Sequence, residues 1–327
     1  MVKTFKYRLY PEPDQDTILV SILDICRVLY NSALWDRQRQ YKETKKGLNL
    51  TQQEARLCKD KVSYPVLKTI HSQVLQDVLM RVDKAYQAFF RKIKEKKGKG
   101  GYPRFKFGKR YDSFTYPQHG NGFKIAPAKT LFLSKIGNIP IRMHRSIKGR
   151  IKSCIVKREA GGWYASISTE ITVPAVVTDL SRPVGIDVGL SPFMSLSNGE
   201  TVDHPGFLKT MGKNLAKAQH SLSGKVKNSK NYKKQRLKVA LIHKKITDRR
   251  EDFLHKLSRS IVRRFTFIAG DSINIKGLVH SHLAKNIHDA SWGKALNFIA
   301  YKAEEAGKRY VLASHSRQHA GMLSLRS

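Results

Sequence analysis

The stretch Val184-Gly185-Ile186-Asp187-Val188-Gly189 constrains the fold more than any other part of the chain. A short apolar run delivers one carboxylate, and Gly189 then permits a tight turn. A second apolar run, Phe193 to Leu196, leads into Ser197-Asn198-Gly199, a hairpin signal. One acid is therefore expected on a buried strand lying beside a second strand. A carboxylate there is costly to bury unless it is paired or holds a metal. Magnesium suits the position, because it prefers oxygen ligands and few protein carboxylates. The stretch alone leaves two readings open: a metal ligand, or a surface aspartate that caps a turn.

The same design recurs downstream. Phe265 to Ala269 is another short apolar strand, and it delivers Asp271. Between the two acids, Leu208 to Arg264 reads as mostly helical with a break at Gly224–Asn231. Leu237, Leu241, Ile246, Phe253, Leu254, Leu257 and Ile261 are its expected packing face. A helix carrying Trp292, Leu296, Ile299, Ala300 and Ala303 follows, Gly307 ends it, and Lys308 to Ala313 forms one more strand. Three strands, helices, strand, helix, strand is most of an RNase H-like fold, a mixed α/β sheet. Asp203 and His204 follow the strand meander and are read as turn residues.

The first half has a different texture. Val2 to Tyr10 alternates polar and apolar residues, a strand ended by Pro11 and Pro13. Asp14 is expected to cap a helix carrying Ile18, Ile22, Ile25, Cys26 and Leu29, in which Tyr30 and Asn31 serve packing. After a polar bridge at Lys42 to Lys46, a second helix follows Pro65, with a stripe of Ile70, Val74, Val78, Val82, Tyr86 and Phe89. From Thr130 to Ile171 short strands alternate with glycine turns: Leu131–Leu133, Ile139–Met143, Ile151–Val156 and Trp163–Ile167. They read as a small barrel that the first strand joins. Pro174 to Pro183 is the linker out.

Charge decides the partner class. The chain of 327 residues has 62 basic and 25 acidic side chains, a net charge of +37. An excess of this size points to a polyanion, with nucleic acid ahead of an anionic membrane. No uninterrupted apolar run approaches the roughly 20 residues of a spanning helix, and the N-terminus has no signal-peptide core. Cys26, Cys58 and Cys154 are far apart and odd in number, which fits a reducing cytosol and argues against a disulfide framework. The densest basic stretch holds Lys96, Lys97 and Lys99, then Tyr102, Arg104 and Lys106. Lysines neutralise phosphates and the interleaved rings are placed to stack on bases. Lys233, Lys234, Arg236, Lys244 and Lys245 form a second set with few acidic neighbours, read as phosphate-facing. No Ser-His-Asp set, P-loop or dinucleotide fingerprint supports acyl transfer or nucleotide hydrolysis.

The ordered series Gly185-Ile-Asp187-Val-Gly189, Asp271-Ser-Ile-Asn274 and Lys285-Asn-Ile-His-Asp-Ala-Ser-Trp292 resembles the TnpB family of transposon-encoded, RNA-guided DNA endonucleases. Thr4-Phe-Lys-Tyr-Arg-Leu-Tyr-Pro11 and Gly101-Tyr-Pro-Arg-Phe-Lys106 extend the resemblance along most of the chain. It implies an all-β wedge-type barrel over residues 1–178 with a helical recognition insert at about 12–98. Residues 179–327 are then a RuvC/RNase H-like α/β nuclease domain with a basic helical insert at about 207–264. It implies Asp187 and Asp271 as catalytic and magnesium-binding positions, although the family has Glu where Asp271 stands. Guide RNA, derived from the transposon end, and target DNA are the implied partners.

The resemblance also marks what this sequence lacks. The family has a third catalytic acid on a last helix beyond a zinc ribbon with two Cys-x-x-Cys pairs. No Cys-x-x-Cys occurs here, so no zinc is expected. Asp289 is read as structural, and His315 and His319 as no metal site. The tail Gly-Met-Leu-Ser-Leu-Arg can be read one base later as Ala-Cys-Ser-His-Cys-Gly, so a frameshift is the expected cause. Two-metal hydrolysis needs more oxygen ligands than two acids supply, and cleavage is expected to be impaired. The alternatives are a nuclease-dead RNA-guided repressor and a non-functional truncated remnant.

Overall fold

The computed structural model describes residues 1–95, 101–127, 129–271 and 291–313. They form two compact units, residues 2–171 and, with Met1, the residues from 172 on.

In the first unit, β1 (Val2–Leu9) buries Phe5, Tyr7 and Leu9 and exposes Thr4, Lys6 and Arg8 between them. Six strands follow: β2 (Ser113–Tyr116), β3 (Phe123–Ala126), β4 (Thr130–Leu133), β5 (Gly137–Arg142), β6 (Arg150–Glu159) and β7 (Gly162–Glu170). Their order is β2-β6-β7-β1-β5-β4-β3, antiparallel throughout, and the sheet curls into a half-barrel. β1 comes first in sequence yet sits mid-sheet, pairing with β7 from Val2 to Leu9. Its inward side chains share a core with Phe114, Tyr116, Phe123, Leu131, Leu133 and Ile167.

Three helices complete this unit: α1 (Pro13–Thr44), α2 (Leu50–Ser63) and α3 (Ser72–Lys94). Glu12, rather than Asp14, is the residue before the first turn of α1, and its N–H donates to Gln15 Oε1 at 3.1 Å. Pro13 supplies the preset φ of a first helical residue. Asp16 accepts a 2.6 Å hydrogen bond from Trp163 Nε1, which docks the helix start on β7. The stripe toward α3 runs through Leu19, Ile22, Leu23, Cys26 and Leu29, so Ile18 falls outside it and is exposed. α2 follows the expected polar bridge at Lys42 to Lys46, in a stretch to which the sequence pattern assigned no separate element. Just Gln53 and Leu57 of it are buried, so its periodicity is weak, and side-chain bonds hold it instead. Arg37 donates to Gln53 Oε1 at 2.7 Å and to Asp83 Oδ1 at 2.9 Å, tying α1, α2 and α3 together.

One expectation is corrected in α1. Pro13–Thr44 holds an 18-residue window long and apolar enough, by length and composition, to cross a membrane. A few charged residues, such as Asp24 and Arg27, interrupt the apolar run, so a count of uninterrupted runs does not register the window. In the fold the buried residues of this helix, Leu19, Cys26 and Leu34 among them, belong to the core of the unit.

The second unit carries a five-stranded sheet of β8 (Pro183–Val188), β9 (Met194–Leu196), β10 (Thr201–Val202), β11 (Phe267–Asp271) and β12 (Arg309–Ala313). The order is β10-β9-β8-β11-β12. β8, β9 and β10 form an antiparallel meander, while β11 runs parallel to both β8 and β12. Among the described residues the helices of this unit are α4 (Phe207–Ser223), α5 (Lys230–Arg264) and α6 (Trp292–Glu305). α5 and α6 supply Leu254, Ile261, Val262, Trp292, Leu296 and Ile299 to the core under Val184, Ile186, Val188 and Ile268. Lys308 Nζ donates to the carbonyls of Val262 and Phe265 at 2.5 and 2.9 Å, satisfying acceptors at the α5 terminus. Burial holds the Lys308 ammonium below its usual range. On α5, Leu237 and Leu241 are exposed rather than packed. The seam with α4 uses Val239, Ile242 and Ile246 against Phe207, Met211 and Leu215.

Candidate functional site

β8 and β11 are parallel neighbours, with Gly270 in register with Ile186. The next position on each strand is an acid, Asp271 and Asp187. Residues aligned on adjacent parallel strands point to the same face, about 4.8 Å apart. Burial agrees: Val184, Ile186 and Val188 are buried on β8 while Asp187 is exposed, and Ile268 and Gly270 are buried on β11 while Asp271 is half-buried. The apolar face is packed under α5 and α6, and the acids take the other face.

Both acids line an open cleft of about 330 Å³. Its other walls include Gly185, Ser195, Ser197, Ala269 and Ala313. These small side chains leave room for something the size of a hydrated ion or a phosphate. Ser197 Oγ accepts from Gly185 N–H at 2.9 Å and Ser197 N–H donates to Gly185 O at 3.0 Å, fixing β8 just before Asp187. Among the described residues Asp187 is in no ion pair and no side-chain hydrogen bond. Two neighbouring carboxylates repel, and a cation between them removes that penalty. Magnesium is typically held by one or two carboxylates with water and phosphate oxygens in its remaining positions. The donor set therefore fits Mg²⁺, with Asp187 and Asp271 as the residues that would hold it. Among the described residues no group of three or more His, Cys, Asp or Glu converges on one point. Asp289, read from the sequence as structural, lies outside the described residues.

Asp203 and His204 do not line this cleft. His204 Nδ1 accepts from Gly206 N–H at 3.0 Å, and its ring lies 5.6 Å from Phe193 and 6.0 Å from Phe207, which is the turn role.

The expected nucleic-acid residues fall in several places. Lys96, Lys97 and Lys99 lie outside the described residues, as do Asn274, His315 and His319. Tyr102 is half-exposed, with its ring against Tyr86 and Phe89 at 5.6 and 5.1 Å and its hydroxyl 2.9 Å from that of Tyr86. Arg104 is exposed, and Lys106 Nζ lies 5.7 Å from the Tyr30 ring centre. Asn31 clamps this segment, donating to Lys106 O at 2.9 Å and accepting from Lys106 N–H at 2.8 Å. The segment is thus a held surface, presenting Arg104 and Phe107 to solvent, rather than a loose linker. On α5, Lys233, Lys234, Arg236 and Lys245 are exposed and in no ion pair among the described residues. Lys244 pairs with Asp248 at 3.0 Å, one turn away.

Residues 166–282 match a family described as a probable transposase, and residues 1–46 match one described as a helix-turn-helix domain. In this chain residues 13–44 of the second match are one continuous helix. A protein of Streptomyces pristinaespiralis named as an RNA-guided DNA endonuclease is 32% identical over 318 residues, covering 95% of this chain and 77% of the relative. The chain belongs to the TnpB family. A second member, the RNA-guided DNA endonuclease InsQ of Escherichia coli strain K12, is 29% identical over 320 residues, covering 92% of this chain and 77% of that protein. The cryo-EM structure of a Cas12f1–sgRNA–target DNA complex has a protein chain of similar fold. Its TM-score is 0.53 at 11% identity, over 97% of this chain and 90% of that one. This TnpB-family chain therefore shares a Cas12f-like fold of mixed α/β content.

Among the residues that sequence reasoning missed, Asn31 and Trp292 matter most. Each was read as packing, and each also makes a specific hydrogen bond to a distant backbone group.

Proposed function

We propose that this chain is an RNA-guided DNA-binding protein of the prokaryotic cytosol or nucleoid. Its Asp187–Asp271 pair is the core of a magnesium-dependent phosphodiester hydrolysis centre, and cleavage by this chain is slow. The observation that carries the reading is the placement of two acids side by side, each one position beyond the Gly270–Ile186 register pair on adjacent parallel strands, lining an open cleft. In this reading residues 1–178 are a wedge-type barrel with a helical insert, and residues 179–327 are the RuvC/RNase H-like domain. The strand order β10-β9-β8-β11-β12 supports the second assignment. The names of the two curated relatives support guide RNA and target DNA as the ligands.

A bound magnesium ion supplies Lewis acidity and a water of lowered pKa. The chain supplies the rest. Asp187 and Asp271 concentrate negative charge at one end of the sheet. Ser197 fixes the strand that bears Asp187, and the small walls admit a phosphodiester. The overall reaction adds a water oxygen to phosphorus, breaks one P–O bond and leaves the proton on the departing oxygen. Among the described residues two carboxylates line the cleft, fewer ligands than two metals need, and the reading of slow turnover rests on that.

The second reading is a nuclease-dead RNA-guided regulator, favoured by the lack of any cluster of three or more potential metal ligands among the described residues. The packed cores of both units speak against a non-functional remnant. Incubation of the RNA-bound chain with guide-matched duplex in Mg²⁺ separates the two readings. Slow strand scission that falls a further 10²- to 10³-fold, about 3 to 4 kcal/mol, in Asp187→Asn supports the first. Guide-dependent binding without any scission supports the second.

A further inference from the structure

We propose that Trp292 is a positioning residue for the acid pair. Its indole N–H holds the carbonyl of Gly189 and so fixes Asp187 relative to Asp271. The inference rests on the reading of Asp187 and Asp271 as the divalent-cation ligands. Trp292 is the first residue of α6 and is 5% exposed, in the core beneath the sheet. Its Nε1 donates to Gly189 O at 2.9 Å across 103 positions of sequence. Gly189 is two residues beyond Asp187. Its own N–H donates to Phe193 O at 3.1 Å, closing the turn out of β8. A Cβ placed on Gly189 would lie 3.0 Å from Pro192 O, so the turn is tight. Both the N–H and the C=O of Gly189 are thereby committed.

Between the acid and that turn stands Val188, buried at 6% on the core face. A displacement at Gly189 therefore reaches Asp187 through a single packed residue. The apolar bulk of Trp292 is a core requirement that other large side chains could meet. The donor is not, because a buried indole N–H needs a partner and here takes one beside the acid. Groups outside the ligand set that orient ligands typically change metal affinity 10- to 100-fold when removed.

The test measures Mn²⁺ binding to the full chain by loss of the free-ion EPR signal, together with thermal unfolding. Asp187→Asn defines the specific site by abolishing it. Replacing Trp292 with benzothienylalanine keeps the ring shape and removes the donor, and Trp292→Phe is the genetic counterpart. Either change is expected to weaken Mn²⁺ binding about tenfold; the isostere lowers the melting point by only about 2–4 °C, and Trp292→Phe, which also loses core volume, lowers it further. Leu296→Ala, a core truncation in the same helix, is expected to leave Mn²⁺ affinity within about twofold, because it removes no group beside Asp187. Wild-type affinity in the benzothienylalanine chain overturns the inference and leaves the acid-pair reading standing, and so does equal weakening by Leu296→Ala. Mn²⁺ binding unchanged by Asp187→Asn, or absent from the wild-type chain, overturns the acid-pair reading and this inference with it.

Discussion

Asp187 and Asp271 were legible as residues because each ends a short apolar run, a pattern that survives without knowledge of the fold. Their neighbourhood was not legible. The bond from Trp292 to Gly189 spans 103 positions and the Asn31 clamp on Lys106 spans 75. No local pattern encodes such a pairing, because the tertiary structure brings the partners together. The cysteines give a prediction at the same scale. Cys26 and Cys154 are fully buried, and burial pushes the Cys26 thiol up to about 12 and that of Cys154 higher still. Both stay protonated and shielded, whereas Cys58 is exposed. Iodoacetamide at pH 8 should label Cys58 alone in the folded chain and all three thiols in guanidinium, as counted by mass spectrometry. Native labelling of Cys26 would contradict the packing of α1.

At the scale of elements, strongly periodic pieces were recovered and weakly periodic ones were lost. β4 to β7 followed from their apolar spacing, and so did α3, although it begins at Ser72, so that Ile70 of the expected stripe lies before it. α2 did not, because two buried residues in fourteen leave no stripe to read. Leu237 and Leu241 misled for the opposite reason: they have the right spacing but lie on a surface that α4 does not cover. Those two leucines sit among the lysines of α5, a helix of 35 residues. Replacing Lys233, Lys234, Arg236 and Lys245 by alanine should reduce the slope of log affinity for RNA against log salt by about 3, since each phosphate contact contributes roughly 0.7 to 0.9. An unchanged slope would show that this face of α5 meets no phosphate. Asn31→Ala removes both bonds to the Lys106 backbone. It should lower stability by about 1–3 kcal/mol and weaken RNA binding with it, read by thermal melts and filter binding. RNA affinity unchanged by that variant would mean that the surface at 102–107 takes no part in binding.

For the whole molecule, the sequence order of strands and helices was enough to expect a half with an antiparallel barrel and a half with a mixed sheet. It could not reveal how far the first sheet closes, because curl depends on twist and bulges between strands, such as the register shift at Ile151/Ser153. The net charge of +37 constrained the partner class from the outset, and the proposed function narrows that class to a guide RNA and a DNA target. The most direct measurement is made on the full chain purified from cells that also express its neighbouring transcript. Bound RNA is sequenced, and binding to duplexes that match its successive segments is compared with binding to a scrambled duplex, for the wild type and for Asp187→Asn. The account predicts a defined co-purifying RNA. It also predicts tighter binding of the matched duplex by at least about 100-fold, within the usual specific-to-nonspecific span, and retention of that binding in Asp187→Asn. A chain free of RNA, or one that binds matched and scrambled DNA equally, would contradict it.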